Sequence, residues 1–387
     1  MIFSSAMTTT TIRSSRPRVC LNMIVKNEAA LIERCLSSVL PLIDSWVIFD
    51  TGSTDGTQAL IQKSLAHLPG ELHERPWVNF GHNRTEAVVR AQSFSREKCP
   101  ADYVLFFDAD DVMHVPQGFK WPALNTDACY LWLQLGDTRY TRVMMVSTRL
   151  QWKWVGVLHE YPEATPPSQT LCTVEGPWVA ASTEGARSAD PRKYHKDAEV
   201  LMRALEMEPD STRYRFYLAQ SLRDAGEPEA ALQAYLRRAE LEGFSEERWY
   251  ALYQAALLSE RLQKPWPEVV QRYLEAYEAR PQRAEALVEL ARAERLQGHF
   301  SRAYLFASQA CRTPRPADIL FVDESAYAWR AADELSISAY WTGRYEESLS
   351  LCEALLKQPA TPAEHRERIH ANLEHAKRML RERSGQV

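Results

Sequence analysis

Residues 103–111 read YVLFFDADD, an apolar, strand-forming run that breaks directly into three carboxylates within four positions. Like charges this close repel, so the cluster needs either open water or a cation beside it. Alternate residues of a strand point to the same side, which pairs Asp108 with Asp110. In open α/β sheets, ligands enter the crevice outside the carboxyl ends of the strands. Mg²⁺ or Mn²⁺ takes a couple of carboxylates there, with phosphate oxygens and waters completing its shell. The stretch predicts a strand of a mostly parallel sheet that ends at a divalent-cation site.

Reading outward from it gives the rest of that domain. Val19–Val25 (VCLNMIV) is a buried strand, and Leu31, Ile32, Cys35, Leu36, Val39 and Leu40 recur at helical spacing. Trp46–Phe49 is a second strand, closing on Asp50 in DTGSTDG. A helix is expected near 54–67, with Ser53 or Thr54 at its cap. A weaker strand lies near Leu72, and 80–98 is helical. Strands alternating with helices through short connections predict an α/β domain. Downstream, ACYLWLQL (128–135), RVMMVST (142–148), WKWVGV (152–157) and LCTVEGPWVAA (171–181) read as strands, antiparallel additions at the far end of the sheet.

After residue 190 the chain is helical and rich in Ala, Leu, Glu and Arg. GEPEAALQAYLRRA (226–239) reads like the second helix of a tetratricopeptide unit, with Ala231 at the small position. Val269, Ala303 and Ser348 are its aligned equivalents, at spacings of 38, 34 and 45 residues. The last spacing holds an inserted Pro-rich stretch, TPRPADILF. Gly226, Gly298 and Gly343 each stand five residues before a small position, where a tight turn is needed. The expected organisation is a tail over 1–17, an α/β domain over 18–185 and an all-α helical-repeat domain over 190–383.

Composition narrows the classes. At 387 residues, 45% hydrophobic and 25% charged, the chain can bury large cores. A net charge of −5 argues against a nucleic-acid coat or a basic membrane-surface binder. No apolar run approaches the ~20 residues that span a bilayer. The seven cysteines stand singly with no CxxC pair, as free thiols of a reducing cytosol do, and a cytoplasmic location is expected. GxxxxGK[ST], GxGxxG and GxSxG are all missing, so the P-loop, dinucleotide-fold and serine-hydrolase readings have no anchor.

Four ordered motifs carry a resemblance: CLNMIVKNEAALIERCLSSV, VIFDTGSTDGT, PWVNFGHNRTEAV and YVLFFDADD. Together they resemble a family 2 glycosyltransferase of the GT-A fold, in the group that carries a C-terminal tetratricopeptide extension. The resemblance implies an inverting transfer of a sugar from a UDP- or GDP-sugar, with Mn²⁺ or Mg²⁺ bridging the pyrophosphate. It places Val25, Lys26, Asn27 and Glu28 around base and ribose, and Asp50 on the base. Arg84 reaches the donor, Asp108 with Ala109 meets ribose or sugar hydroxyls, and Asp110 ligates the metal. Thr51 stands where the commoner DDGS turn has a second acid.

An inverting transferase needs a carboxylate to take the acceptor's proton. WVGVLHE (154–160) resembles the W-x-G-x-x-HE segment of related enzymes, which makes Glu160 the first candidate base and Asp111 the second. His159 is a candidate metal ligand, and His82 a weaker site candidate. Asn83-Arg84-Thr85 matches a glycosylation sequon, a reading set aside for want of a secretion signal. The aromatics of the helical half, Tyr214, Phe216, Trp249, Tyr253, Trp329 and Trp341 among them, are expected mostly in repeat cores. Arg213, Arg215, Arg237 and Arg238 add positive charge to that half, which solvated helix faces explain equally well. The acceptor, a protein, a glycan or a modified nucleic acid, is expected to dock on the repeats. The competing reading is a non-catalytic repeat scaffold with a degenerate transferase domain.

Overall fold

The computed structural model describes residues 16–135, 138–182, 184–185 and 190–385. The chain divides into two compact units, Met1–Leu201 and Met202–Val387. Most of the expected tail lies outside the described residues. Of its last two, Arg16 pairs with Asp44 at 2.5 Å and Pro17 is buried.

The first unit runs β1 (Val19–Val25), α1 (Ile32–Val39), β2 (Ser45–Asp50), α2 (Thr57–Ser64), β3 (Gly70–Glu74), α3 (Phe80–Glu97) and β4 (Tyr103–Phe106). It continues with β5 (Val112–His114), β6 (Ala128–Leu135), β7 (Thr138–Ser147), β8 (Gln151–Val155), β9 (Tyr161–Thr165) and β10 (Leu171–Ala180). The large sheet has the order β3-β2-β1-β4-β7-β6-β10-β5. The first four strands are parallel, and β7 adds antiparallel to β4. The order reverses between β1 and β4, the switch point at which such sheets open a crevice.

Both faces of the parallel strands are covered, which is why they read as continuous apolar runs. Leu21, Met23, Ile48 and Leu105 pack with Ile32, Leu36 and Ile61 of α1 and α2 on one face. Cys20, Val47, Val104 and Phe106 pack with Ala87, Val88 and Ala91 of α3 on the other. Asn22 interrupts β1 at no cost in unpaired groups, since its amide donates to the carbonyls of Val47 (2.9 Å) and Ala87 (3.0 Å).

WKWVGV departs from expectation. It forms not a strand of the large sheet but β8 of a separate ribbon with β9. Trp152 and Ala164 of this ribbon pack onto α3. The strand signal was right, but two neighbouring tryptophans match a helix face as well as a sheet.

The second unit is helical: α4 (Lys193–Met207, which begins in the first unit), α5 (Thr212–Asp224), α6 (Pro228–Ala239), α7 (Ser245–Arg261) and α8 (Trp266–Ala279). There follow α9 (Glu285–Leu296), α10 (Phe300–Arg312), α11 (Ala331–Trp341), α12 (Tyr345–Lys357) and α13 (Ala363–Arg383). From α5 onward each helix packs on the next, and α9, α11 and α13 also touch in series. That is the neighbour-only contact pattern of a stacked array of helix pairs. The aligned small positions Ala231, Val269, Ala303 and Ser348 are all buried at 0–1% exposure. Gly226, Gly298 and Gly343 take φ of +82°, +78° and +77° in the inter-helix turns. Phe216, Trp249 and Tyr253 are core as expected, whereas Trp341 is exposed. Arg238 lies on no solvated face: it is fully buried, 3.3 Å from Glu247, and donates to the carbonyl of Leu241.

Candidate active site

The expected residues converge on the carboxyl edge of β1, β2 and β4. After β2, Asp50 is wholly buried, and its Oδ1 accepts the N–H groups of Gly52 (2.9 Å) and Ser53 (2.8 Å). Its Oδ2 is buried with no hydrogen-bond partner. A buried orphan acceptor is costly and marks a place where a ligand N–H is wanted.

The loops after β1 and β2 hold one another. Asn27, at φ +56°, donates its N–H to Ser53 Oγ (2.8 Å), and its Oδ1 accepts from the Thr54 N–H (2.9 Å). The Glu28 N–H donates to Thr57 Oγ1 at 2.9 Å. Ser53 and Thr54 therefore brace this loop instead of capping α2, whose cap position is Gly56. Val25 and Ala109 point into the core and offer only backbone, while Lys26 and Asn27 are exposed at the rim.

After β4 the three acids take different environments. Asp108 lies between two guanidiniums, Arg84 at 2.5 Å and Arg142 at 3.0 Å. Burial alone would raise its carboxyl, but the two arginines hold it well below the usual carboxylate range. Asp110 accepts a long bond from the Gly185 N–H (3.3 Å), and burial and then the Asp108 charge push its pKa up. Asp111 is 4% exposed and accepts from the Ser182 N–H at 3.3 Å, with Arg142 no nearer than 3.9 Å. Burial, then the charge of Asp108, pushes it up to about 7.

Arg84 joins the two ends of the expected machinery. It comes from the second turn of α3, and its Nε lies 2.7 Å from Glu160 Oε1 while its Nη2 holds Asp108. Its guanidinium stands 5.1 Å over the Trp154 ring. Burial disfavours its charge, but Asp108 and then Glu160 outweigh that and fix it as a cation. Glu160 and His159 sit in the turn of the β8–β9 ribbon, where His159 is exposed at φ +51°. Non-glycine residues at such φ are strained and collect at functional sites. His82 is also exposed, 3.5 Å from Glu86 one helical turn on. Asn83 is fully buried, bonded to Val78 and Pro76, so the sequon has no accessible acceptor. Sequence reasoning missed Arg142. An arginine inside the apolar RVMMVS strand was the available signal.

A divalent cation fits this rim. Burial and the Asp108 charge outweigh the pull of Lys193 on Asp110 and of Arg142 on Asp111, and Gly185, without a side chain, lies against the carboxylates of Asp110 and Glu28. Among the described residues, no three His, Cys, Asp or Glu side chains form a closed cage. The donor set suits an ion that completes its shell with phosphate oxygens and water, as Mg²⁺ and Mn²⁺ do.

Comparison with known proteins agrees with this geometry. Residues 20–116, which span β1 to β5, match the family model described as glycosyl transferase family 2. A TPR repeat-containing protein of Synechococcus elongatus is 36% identical over 24% of this chain and 21% of its own length. An uncharacterized glycosyltransferase of Rickettsia felis is 33% identical over 23% of this chain and 27% of its own, and one of Rickettsia bellii 35% over 23% and 26%. The chain thus spans about a quarter of the length of the curated relatives it matches. Among solved structures, a thermophilic TPR protein of Thermus thermophilus aligns with 47% of this chain at 17% identity and a TM-score of 0.33, too low to add to what the helices themselves display. The N-terminal unit carries a glycosyl transferase family 2 domain.

Proposed function

We propose that the protein is an inverting glycosyltransferase that moves a sugar from a UDP- or GDP-sugar to an acceptor selected in part by the helical repeats. The observation that carries this reading is the unequal neutralisation of the acids after β4. Asp108 is held by Arg84 at 2.5 Å and Arg142 at 3.0 Å, while Asp111 has Arg142 only at 3.9 Å, and burial with the Asp108 charge raises the pKa of both Asp110 and Asp111.

Each residue then has a task. Asp50 Oδ2 accepts an N–H from the nucleotide base, and the braced loop of Asn27 and Glu28 encloses base and ribose. Asp108, fixed by its two arginines, presents its remaining lone pairs to sugar or ribose hydroxyls. Asp110 would hold Mn²⁺ or Mg²⁺, with His159 as a further candidate ligand. Bound there, the ion would neutralise the pyrophosphate as it leaves. Glu160 takes the acceptor's proton, and Asp111 is the second candidate for that role. Arg84 keeps Glu160 in register with the donor side of the site. No described helix is long and apolar enough to cross a membrane, so the proposal invokes no span.

A thermal-shift panel of UDP-, GDP- and CDP-sugars with and without Mn²⁺ tests the reading, since a ligand that binds the fold raises its Tm by mass action. One nucleotide class should raise Tm in a Mn²⁺-dependent way, and Asp110→Asn should abolish the dependence. If no nucleotide sugar stabilises the protein, the scaffold reading takes its place.

A further inference from the structure

Cys129 of β6 and Cys172 of β10 stand directly opposite one another in the large sheet. Register partners on neighbouring strands lie about 4.8 Å apart, inside the roughly 4.4–6.8 Å between Cα atoms that a disulfide spans. Both side chains belong to the same face, packed into the core of the first unit. One hydroxyl joins them: Thr126 Oγ1 is 3.4 Å from Cys129 Sγ and 3.2 Å from Cys172 Sγ. The Cys129 thiol also hydrogen-bonds Cys172 directly. Both cysteines are free.

The strands are clamped on one side of this pair and released on the other. Asp127, just before β6, accepts the N–H groups of Gln169 and Thr170 on Oδ2 at 2.9 and 3.0 Å, which ties the entry of β10 to that of β6. Arg149 donates to the carbonyl of Thr126 at 2.8 Å and holds the residue that touches both sulfurs. Beyond the pair, β10 leaves β6 after Thr173 and rejoins it at Trp178. The thiols therefore sit in a stretch of three register pairs, Leu171–Thr173 against Ala128–Tyr130. A break in the ladder bends its strand and increases the local twist. That is the movement needed to turn two side chains of a parallel pair toward the ~90° torsion of a disulfide.

The two sulfurs differ in access. Cys129 is fully buried, and burial pushes its thiol up to about 12, so it stays protonated at neutral pH. Cys172 is only half-buried. It is the sulfur that a small oxidant reaches, and Cys129 is the one in place to resolve the product. An accessible sulfur beside a protected resolving thiol is the arrangement that stops oxidation at the disulfide.

We propose that Cys129 and Cys172 form a modification site, a dithiol that hydrogen peroxide closes to a disulfide across β6 and β10. The Cys172 thiolate attacks one peroxide oxygen and the O–O bond breaks. The hydroxide that leaves takes up the proton Cys172 gave to solvent, which yields one water and a sulfenic acid on Cys172. The Cys129 sulfur then attacks Cys172 Sγ, the S–S bond forms as the S–O bond breaks, and the departing hydroxide carries off the Cys129 proton as a second water. Two thiols and one peroxide thus give one disulfide and two waters, with two electrons passing from sulfur to oxygen. Thr126 Oγ1, against both sulfurs, is placed to relay the second proton. The bond closes a loop from residue 129 to residue 172, which takes freedom from the unfolded chain and makes the first unit harder to unfold. None of this depends on the transferase reading, since neither cysteine belongs to the rim where the donor is proposed to bind.

The test treats the full folded chain with equimolar hydrogen peroxide, blocks the remaining thiols with iodoacetamide in denaturant, and digests with trypsin in the absence of reductant. Peptides 121–139 and 154–187, which carry the two cysteines, should be recovered joined and two hydrogens lighter than their sum, and should separate after dithiothreitol. The oxidised protein should keep its circular dichroism and gain about 3 °C or more in Tm, a gain that reduction reverses. Cys172→Ser, which leaves Thr126 a polar neighbour, should show neither the link nor the gain; if it does not fold, Cys172→Ala replaces it with the same expectation. Four results each overturn the proposal. They are Cys172 recovered as sulfinic acid beside an alkylated Cys129, Cys172 linked instead to Cys99 or Cys311, a link found only in protein that has lost its native circular dichroism, and a linked form whose Tm does not rise. No nucleotide sugar is present in the experiment, so its failure leaves the transferase reading standing.

Discussion

Asp111 is the residue whose environment is most at odds with its charge, and that makes it measurable. A carboxyl raised from near 3.8 to about 7 in the fold binds its proton more tightly folded than unfolded. Stability from this group is complete below pH ~4 and falls as pH rises through about 7. Asp111→Asn keeps the acceptor for the Ser182 N–H and removes the charge. Without added metal it should be isostable with the parent at pH 4 and more stable at pH 8. The raised pKa corresponds to at most about 4 kcal/mol, and structural relaxation reduces the expected gain to about 2 kcal/mol. Urea melts at the two pH values check it, and an equal gain at both would show that Asp111 is not charged at pH 8. Saturating Mn²⁺ should close the difference by supplying the missing positive charge to the parent. Glu160 is the other residue-scale test. Glu160→Gln should leave the donor-induced Tm shift intact and lower transfer by about 10²–10⁴-fold, the usual worth of a general base. Loss of donor binding instead would place Glu160 with the donor ligands and leave Asp111 as the base.

The β8–β9 ribbon is the element that brings Glu160 to the site, and its seat on α3 is set by backbone contact. Gly81 opens α3 directly against the ribbon turn, where an added Cβ would lie 2.4 Å from the carbonyl oxygen of Gly156. In a free helix Gly→Ala stabilises by up to about 1 kcal/mol. Here Gly81→Ala should reverse the sign and destabilise by about 1–3 kcal/mol, as overpacking does. It should also lower transfer, because Glu160 and Arg84 shift together. A Tm at or above the parent's would refute this seat for the ribbon. The ribbon also shows where sequence reading stopped. The buried runs of β1, β2 and β4 and the acids after them were legible, because burial on both faces and charge at a strand end are local properties of the chain. The Arg84–Asp108–Arg142 arrangement was not, since it depends on which strand β7 joins and which side Arg142 then faces. Arg238 was misread for a related reason: its partner Glu247 lies on the next helix, and a helix's own periodicity does not reveal a buried counter-charge.

At the scale of the whole molecule, the acids that suit donor chemistry all lie in the first unit, whereas Arg295 of α9 and Arg368 of α13 lie in the second. Arg295→Lys/Arg368→Lys should therefore leave hydrolysis of the nucleotide sugar, where water replaces the acceptor, within about twofold of the parent. Transfer to the true acceptor should fall by about tenfold or more, because the proposed function assigns acceptor selection to the repeats. Equal loss of both, in a variant whose Tm is unchanged, would make the repeats part of the catalytic apparatus. The small-position and glycine frames that announced the repeats are legible because each unit contacts only its neighbours. The insertion after α10 breaks that rule, since Leu320 bonds to Glu246 across 74 residues of sequence. This sets an order in time during synthesis. At about 5–20 residues per second, roughly 4–15 s separate the emergence of Glu246 from that of Leu320. Until then Arg283, fully buried in the finished fold, has Glu285 but neither Asp318 nor the carbonyls of Leu320 and Phe321. Early repeats of an array otherwise close as they are made, whereas these wait, half assembled, for a strap that leaves the ribosome 74 residues later.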